Sequence, residues 1–397
     1  MACARVVVLS LSLAGVAVAQ PQQQRARVDL VIAVDVSGSM RGLIDGTRMK
    51  LWEAVRLLGR AKPMPTVRVG LISYGGKFAD PRAGYVRKEL DLTTDLDAVS
   101  QKLFALQIRG SQEYVARTVQ TATRQMAWDQ DPSTLKILFV AGNESAEQDP
   151  LVTLTEALGE ARQRGILVNA IFCGQEGARE ALAWRRVAAM GGGEFAAIDH
   201  NRSVLAAESP YDGELTRLST ALSATYVGYG AGGIERRQRQ HAEDERAKRD
   251  GVQVAADRAA AKATPTYSNA DWDVVDAYAA KKMPAPTMLP AEVAALPEAG
   301  RDKWLREKVE QRKDIREKIG ALATRREIWF GGDSVAGRPA GPLQPAAPAS
   351  APVAASAPPL SMPAPMAKPK HAAQPATMSD AFSGAIQRNA VKNGYSF

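Results

Sequence analysis

Cysteine and histidine are scarce: two and three in 397 residues. Cys3 lies in an apolar leader, so Cys173 has no internal partner and a disulfide-stapled fold is excluded. Cys173 closes the apolar run VNAIFCG and reads as a small buried hydrophobe. The three histidines are His200, His241 and His371. No H-E-x-x-H spacing occurs, so a zinc hydrolase has no ligand set. His200, in AIDHN, reads as a turn residue after a strand. No P-loop is present, which argues against an ATPase. Aromatics make up only 6% of the chain and do not alternate with basic residues. The net charge of +8 is not concentrated: residues 234–330 carry 20 Lys plus Arg against 17 Asp plus Glu. That pattern gives no nucleic-acid footprint.

Long apolar runs are equally rare. The one near the start, Val6 to Val16, follows Arg5 and precedes Ala17-Val18-Ala19. It reads as a signal peptide over 1–19, shorter than the roughly 20 residues a spanning helix needs. The expectation is an exported protein, periplasmic or secreted and cell-surface, with no transmembrane segment after cleavage. Many of the 23 prolines fall after Arg338. Composition therefore divides the chain into a folded domain (25–230), a charged helical extension (231–330), an Ala/Pro-rich disordered linker (331–377) and a tail (378–397).

What is abundant is alternation. Strand candidates are Val28–Val34, Val67–Tyr74, Lys136–Ala141, Ile166–Phe172 and Glu194–Ile198, with a more polar edge strand at Val86–Thr93. Helical stretches lie between them: Thr47–Arg60, Leu96–Leu106, Glu113–Trp128, Leu151–Arg164, Arg179–Met190 and Asp212–Ala224. Continuous apolar strands with helical crossovers predict an α/β fold, a mostly parallel sheet covered on both faces. Beyond it, ERRQRQHAEDERAKRD reads as a solvated helix with i,i+4 pairs Glu235–Arg239, Asp244–Lys248 and Glu245–Arg249, interrupted near Gly251. Trp272, Val275 and Tyr278 are able to dock. Arg301 to Trp329 forms a second charged helix whose broken apolar stripe suits core contact or a weak coiled coil. The last twenty residues regain a helix-like pattern.

The first strand ends in DVSGSM, and it delivers Asp35, Ser37 and Ser39 to the carboxyl edge of the sheet. Open α/β sheets bind ligands at that edge. One carboxylate and two hydroxyls are hard donors that favour Mg²⁺ or Mn²⁺ over Zn²⁺. This strand and turn, in an alternating domain, resemble the von Willebrand factor type A domain and its metal-ion-dependent adhesion site. VRVGLISYG resembles the second strand of that family, and AMGGGEF its later helix-to-strand turn. The resemblance spans roughly Val28 to Gly230. It implies two further ligands. Glu113 falls where the family usually has Thr, as in some integrin β-chain domains. The family's Asp corresponds to Asn143 in KILFVAGNES if the strands align without a gap, or to Gly142 after a one-residue shift. Moving one carboxylate from that position to Glu113 leaves the formal ligand charge unchanged, and Glu144 lies next door.

By that resemblance the chain is a binding protein, for adhesion or scaffolding, in which Mg²⁺ or Mn²⁺ bridges to a carboxylate of an extracytoplasmic protein partner. The rival is a structural envelope protein with a degenerate metal site that works through its helical extension. Catalysis is not expected. A dehalogenase-type phosphatase needs a second Asp where Ser37 stands, and VSGSM is not the G-x-S-x-G of a serine hydrolase. Chelatase-type relatives act in the cytoplasm, against the export signal.

Overall fold

The computed structural model describes residues 26–40, 51–77, 80–108, 110, 112–198, 208–332 and 378–397. The expected signal segment, the first part of the expected Thr47–Arg60 helix, His200, His371 and nearly all of the Ala/Pro-rich stretch fall outside these residues. Six strands form one sheet: β1 (Arg27–Asp35), β2 (Thr66–Tyr74), β3 (Arg87–Thr93), β4 (Leu135–Gly142), β5 (Ile166–Phe172) and β6 (Gly192–Ala197). Their order is β3-β2-β1-β4-β5-β6. All pairings are parallel except that of β3, the polar edge strand, which runs antiparallel to β2.

Both faces of the central strands are dry. Leu30, Ile32 and Val34 of β1 point to one hydrophobic cluster, Val31 and Ala33 to another. A helix at 51–58 (α1) and α2 (Leu96–Ala105) cover the first face. The second is covered by α3 (Val115–Gln125), α4 (Leu154–Gln163) and α5 (Ala181–Gly191). Local rules fix their starts. Asp95 caps α2 by accepting from Ala98 N, and Thr153 with Glu156 forms a capping box on α4.

The charged extension is solvated on one face only, whereas its sequence reads as a solvated helix throughout: Gln240, Glu243, Asp244 and Ala247 are buried. After α6 (Asp212–Ser223), helix α7 (Gly233–Asp250) breaks at Gly251 and resumes as α8 (Val252–Lys262). Its charges are used internally. Arg239 pairs with Asp95 of α2, while Asp244 takes Arg258 and Lys262. Lys262 Nζ also donates to Ser223 Oγ at 2.6 Å, and Arg258 Nη1 lies 2.9 Å from Asp97 Oδ1. Burial alone raises the Asp244 carboxyl, but Lys262 and Arg258 overcompensate and hold it below the usual carboxylate range. The i,i+4 pairs expected from spacing give way because tertiary partners sit in low dielectric and exposed pairs do not.

A second buried cluster ties in α9 (Val274–Ala279) and α11 (Glu298–Gly332), which flank a short α10 (Ala291–Ala294). Arg312 Nη1 donates to Asp273 Oδ2 at 2.5 Å and Asp276 Oδ1 at 2.6 Å, and Nη2 to Thr225 O at 2.6 Å. Leu305, Ile315 and Ile319 are buried beside it, so the stripe on α11 is core contact. Trp272 and Val275 are buried too. Finally, α12 (Met378–Lys392) returns to the sheet near β5 and β6. Phe382 stacks on Phe139 of β4 with ring centroids 4.3 Å apart, and Ser396 exchanges backbone bonds with Lys62.

Candidate functional site

The chain leaves β1 at Asp35, where Val36 N donates to Tyr74 O at 2.9 Å and pins the exit against the end of β2. Asp35 Oδ1 accepts the N–H of Ser37 at 2.7 Å, an Asx-type turn that bends the backbone back over its own carboxylate. A 3-10 turn over Gly38–Met40 follows and is anchored by the buried Met40. Ser37 Oγ and Ser39 Oγ are 3.0 Å apart, and Ser39 Oγ donates to Asn143 Oδ1 at 3.1 Å. Glu113, just ahead of α3, faces Asp35 and Ser37, with Glu144 close by. Asp35, Ser37, Ser39, Glu113 and Asn143 therefore converge from three loops. Gly142 stays in β4, its α-carbon facing the Tyr74 hydroxyl and the Trp184 ring.

These five residues form a cup with a buried floor and an open mouth. Asp35, Ser37 and Glu113 are buried, Asn143 is half-buried and Ser39 is exposed. Burial first, and the facing Glu113 second, push the Asp35 carboxyl well above its ordinary range. Burial also raises Glu113, and the Glu144 charge adds to it. Beneath the floor the buried Tyr74 hydroxyl donates to Ala141 O at 2.7 Å, and both Tyr74 and Cys173 are pushed up by burial and by the two acids. Buried Cys173 thus packs as the small hydrophobe its sequence suggests.

The donor chemistry fits a hard divalent cation. With both acids ionised, Asp35 Oδ2 is buried without any donor. Two facing carboxylates in low dielectric need either a shared proton or a cation. No thiolate or imidazole joins them, and among the described residues no group of three or more His, Cys, Asp or Glu side chains forms a metal cluster. Two carboxylates, two hydroxyls and an amide oxygen, one donor atom each, would leave one position of an octahedral ion for water or for a partner's group.

Sequence reasoning missed what shapes the cup from below and beside. Gly75 has φ 76°, and a Cβ there would meet Asp35 Oδ1 at 2.9 Å and Glu113 Cγ at 3.3 Å. Only glycine lets the end of β2 pass so close to both acids. Its signal was in plain view, as a Gly-Gly pair directly after the strand.

Residues 30–144 match the family model for the von Willebrand factor type A domain. No curated protein sequence matches the chain. Among solved structures, a von Willebrand factor type A protein from Catenulispora acidiphila aligns at 17% identity and a TM-score of 0.35, over 44% of this chain and 39% of that one. Proximal thread matrix protein 1 from the mussel byssus, described with a zinc-occupied MIDAS motif, aligns at 12% identity and 0.35, over 45% and 43%. The pilus adhesin SpaC from Lactobacillus rhamnosus GG gives 14% and 0.33, over 45% and 28%. In each of these three pairs the aligned region spans less than half of either chain. The strand order and the match over residues 30–144 together make the sheet domain of this chain similar to the von Willebrand factor type A domain.

Proposed function

We propose that this protein is a binding module whose cup of Asp35, Ser37, Ser39, Glu113 and Asn143 holds Mg²⁺ or Mn²⁺ and engages an acidic residue of a protein partner. The observation that carries this reading is the pair of facing buried acids, with Asp35 Oδ2 lacking a donor, under a mouth framed by the exposed Ser39 and the half-buried Asn143. When bound, the ion would supply a positive centre with a coordination position left for a partner's carboxylate. The chain's own residues do the rest. Asp35 and Glu113 set the negative floor, the Ser37 N–H orients Asp35, and Ser39 with Asn143 frames the mouth. The proposed role is binding rather than catalysis. Among the described residues no helix is long and apolar enough to cross a membrane.

A random peptide library displayed against the immobilised full chain tests the reading. Selection in millimolar Mg²⁺ should enrich Asp- or Glu-containing peptides that elute with EDTA and fail to bind Asp35→Ala. Enrichment that is indifferent to EDTA and to Asp35 would overturn it and favour the helical extension as the binding surface.

A further inference from the structure

Arg117 lies one helical turn beyond Glu113, on the first turn of α3. Its Nη2 donates to Asp149 Oδ1 at 2.9 Å and its Nη1 reaches Arg82 O at 3.5 Å. Only 12% of the Arg117 side chain and 1% of that of Asp149 is exposed, so this is a largely desolvated pair. Asp149 Oδ1 also accepts the N–H groups of Leu151 at 2.9 Å and Val152 at 3.2 Å. It therefore fixes the loop that runs from Asn143 to α4. Arg82 belongs to a 3-10 turn over Pro81–Ala83, after β2. One guanidinium thus joins the first turn of α3 to two loops at the carboxyl edge of the sheet.

The path taken by this side chain is built into the backbone. Gly84 has φ 71°, and a Cβ there would meet Arg117 Cγ at 2.6 Å. Glycine lets the arginine stem lie flat across the turn. The next residue, Tyr85, is left-handed at φ 59°, a conformation unfavourable for a bulky residue. Its ring meets Tyr114 edge-on, with centroids 5.9 Å apart, directly beside Glu113.

We infer that the Arg117–Asp149 pair is a positioning latch for the cup: it holds Glu113, at the start of α3, in register with Asn143, on the loop after β4. The inference rests on the metal reading and adds to it the residues that preorganise the site. A cup assembled from separate loops binds only as tightly as those loops are held, and groups behind the ligands commonly control affinity. An arginine and a carboxylate pair most strongly as a two-point fork. Here one point is made, while Arg117 Nε and Asp149 Oδ2 are both buried without a partner. The latch has a second bond to form as the loops tighten.

Titration calorimetry of Mn²⁺ into the full chain tests this. Arg117→Ala and Asp149→Ala should weaken Mn²⁺ binding about tenfold or more, the usual cost of losing a group behind a metal ligand. Arg117→Lys keeps the charge but loses the fork, and should recover part of the affinity. Val119→Ala, a buried position on the same helix, serves as the control: it should lower Tm and leave the Mn²⁺ Kd at the wild-type value. Amide exchange in EDTA should rise over residues 143–152 in Arg117→Ala and not in the control. Wild-type affinity in Arg117→Ala, or an equal loss in Val119→Ala, would overturn the latch alone. A wild type that binds no Mn²⁺ would overturn the metal reading, and the latch with it.

Discussion

Asp35 is the residue on which the account turns, and its surroundings set a pH dependence with a definite sign. Burial and Glu113 raise its folded-state carboxyl. In the unfolded chain the same group titrates near its ordinary value of about 4. The folded state therefore holds more protons between those two values, and stability falls as pH rises through that window. In EDTA, Asp35→Asn should remove this loss, so the variant should be more stable than wild type near neutral pH and lose that advantage below about pH 4. Divalent ion should invert the comparison, because ion and proton compete for the same oxygens and binding releases the proton. Urea unfolding at several pH values, with and without Mg²⁺, reads both signs. A wild type that remains less stable than Asp35→Asn in saturating Mg²⁺ would contradict the ligand role.

At the scale of elements, the sheet positions the cup and α12 completes its cover. Phe382, Ile386 and Tyr395 are buried against the face that α1 and α2 also shield. Phe382→Ala should cost about 3–5 kcal/mol, as expected for emptying an aromatic site in a packed core. Denaturant unfolding measures it, and a cost near zero would mean that α12 does not dock in solution. The strands and inner helices were legible in the sequence because burial on both faces writes continuous apolar runs such as Val28–Val34. Asp35, Ser37 and Ser39 were legible because they follow a strand directly. Glu113 and Asn143 came through a family resemblance, since loops that meet only in space leave no spacing to read. Arg117 and Asp149 left no sequence signal, because a bond between residues 32 positions apart has no local pattern. The charged extension misled for a related reason. Asp244, Arg258, Lys262 and Arg312 look solvated one by one and are buried only as partners.

For the whole molecule, those buried ion clusters join the extension to the sheet domain. Lys262 reaches Ser223 of α6, Arg258 reaches Asp97 of α2, and Arg312 caps the backbone at Thr225. Buried pairs add little net stability over apolar packing, but stranding one partner is costly. Arg258→Met and Arg312→Met should each destabilise by about 3–5 kcal/mol. Calorimetry should show the extension and the sheet domain unfolding in one transition in both variants. Two separated transitions would mean that the extension folds on its own. The same integration suits a rigid platform that presents one cup at one edge. The most direct test of that cup is thermal unfolding of the full chain in EDTA and in millimolar Mg²⁺ or Mn²⁺, beside Asp35→Ala. The account predicts a stabilisation of about 2.7 kcal/mol at a hundredfold excess over Kd, present in wild type and absent in the variant. Identical unfolding curves for wild type with and without the ion would contradict it.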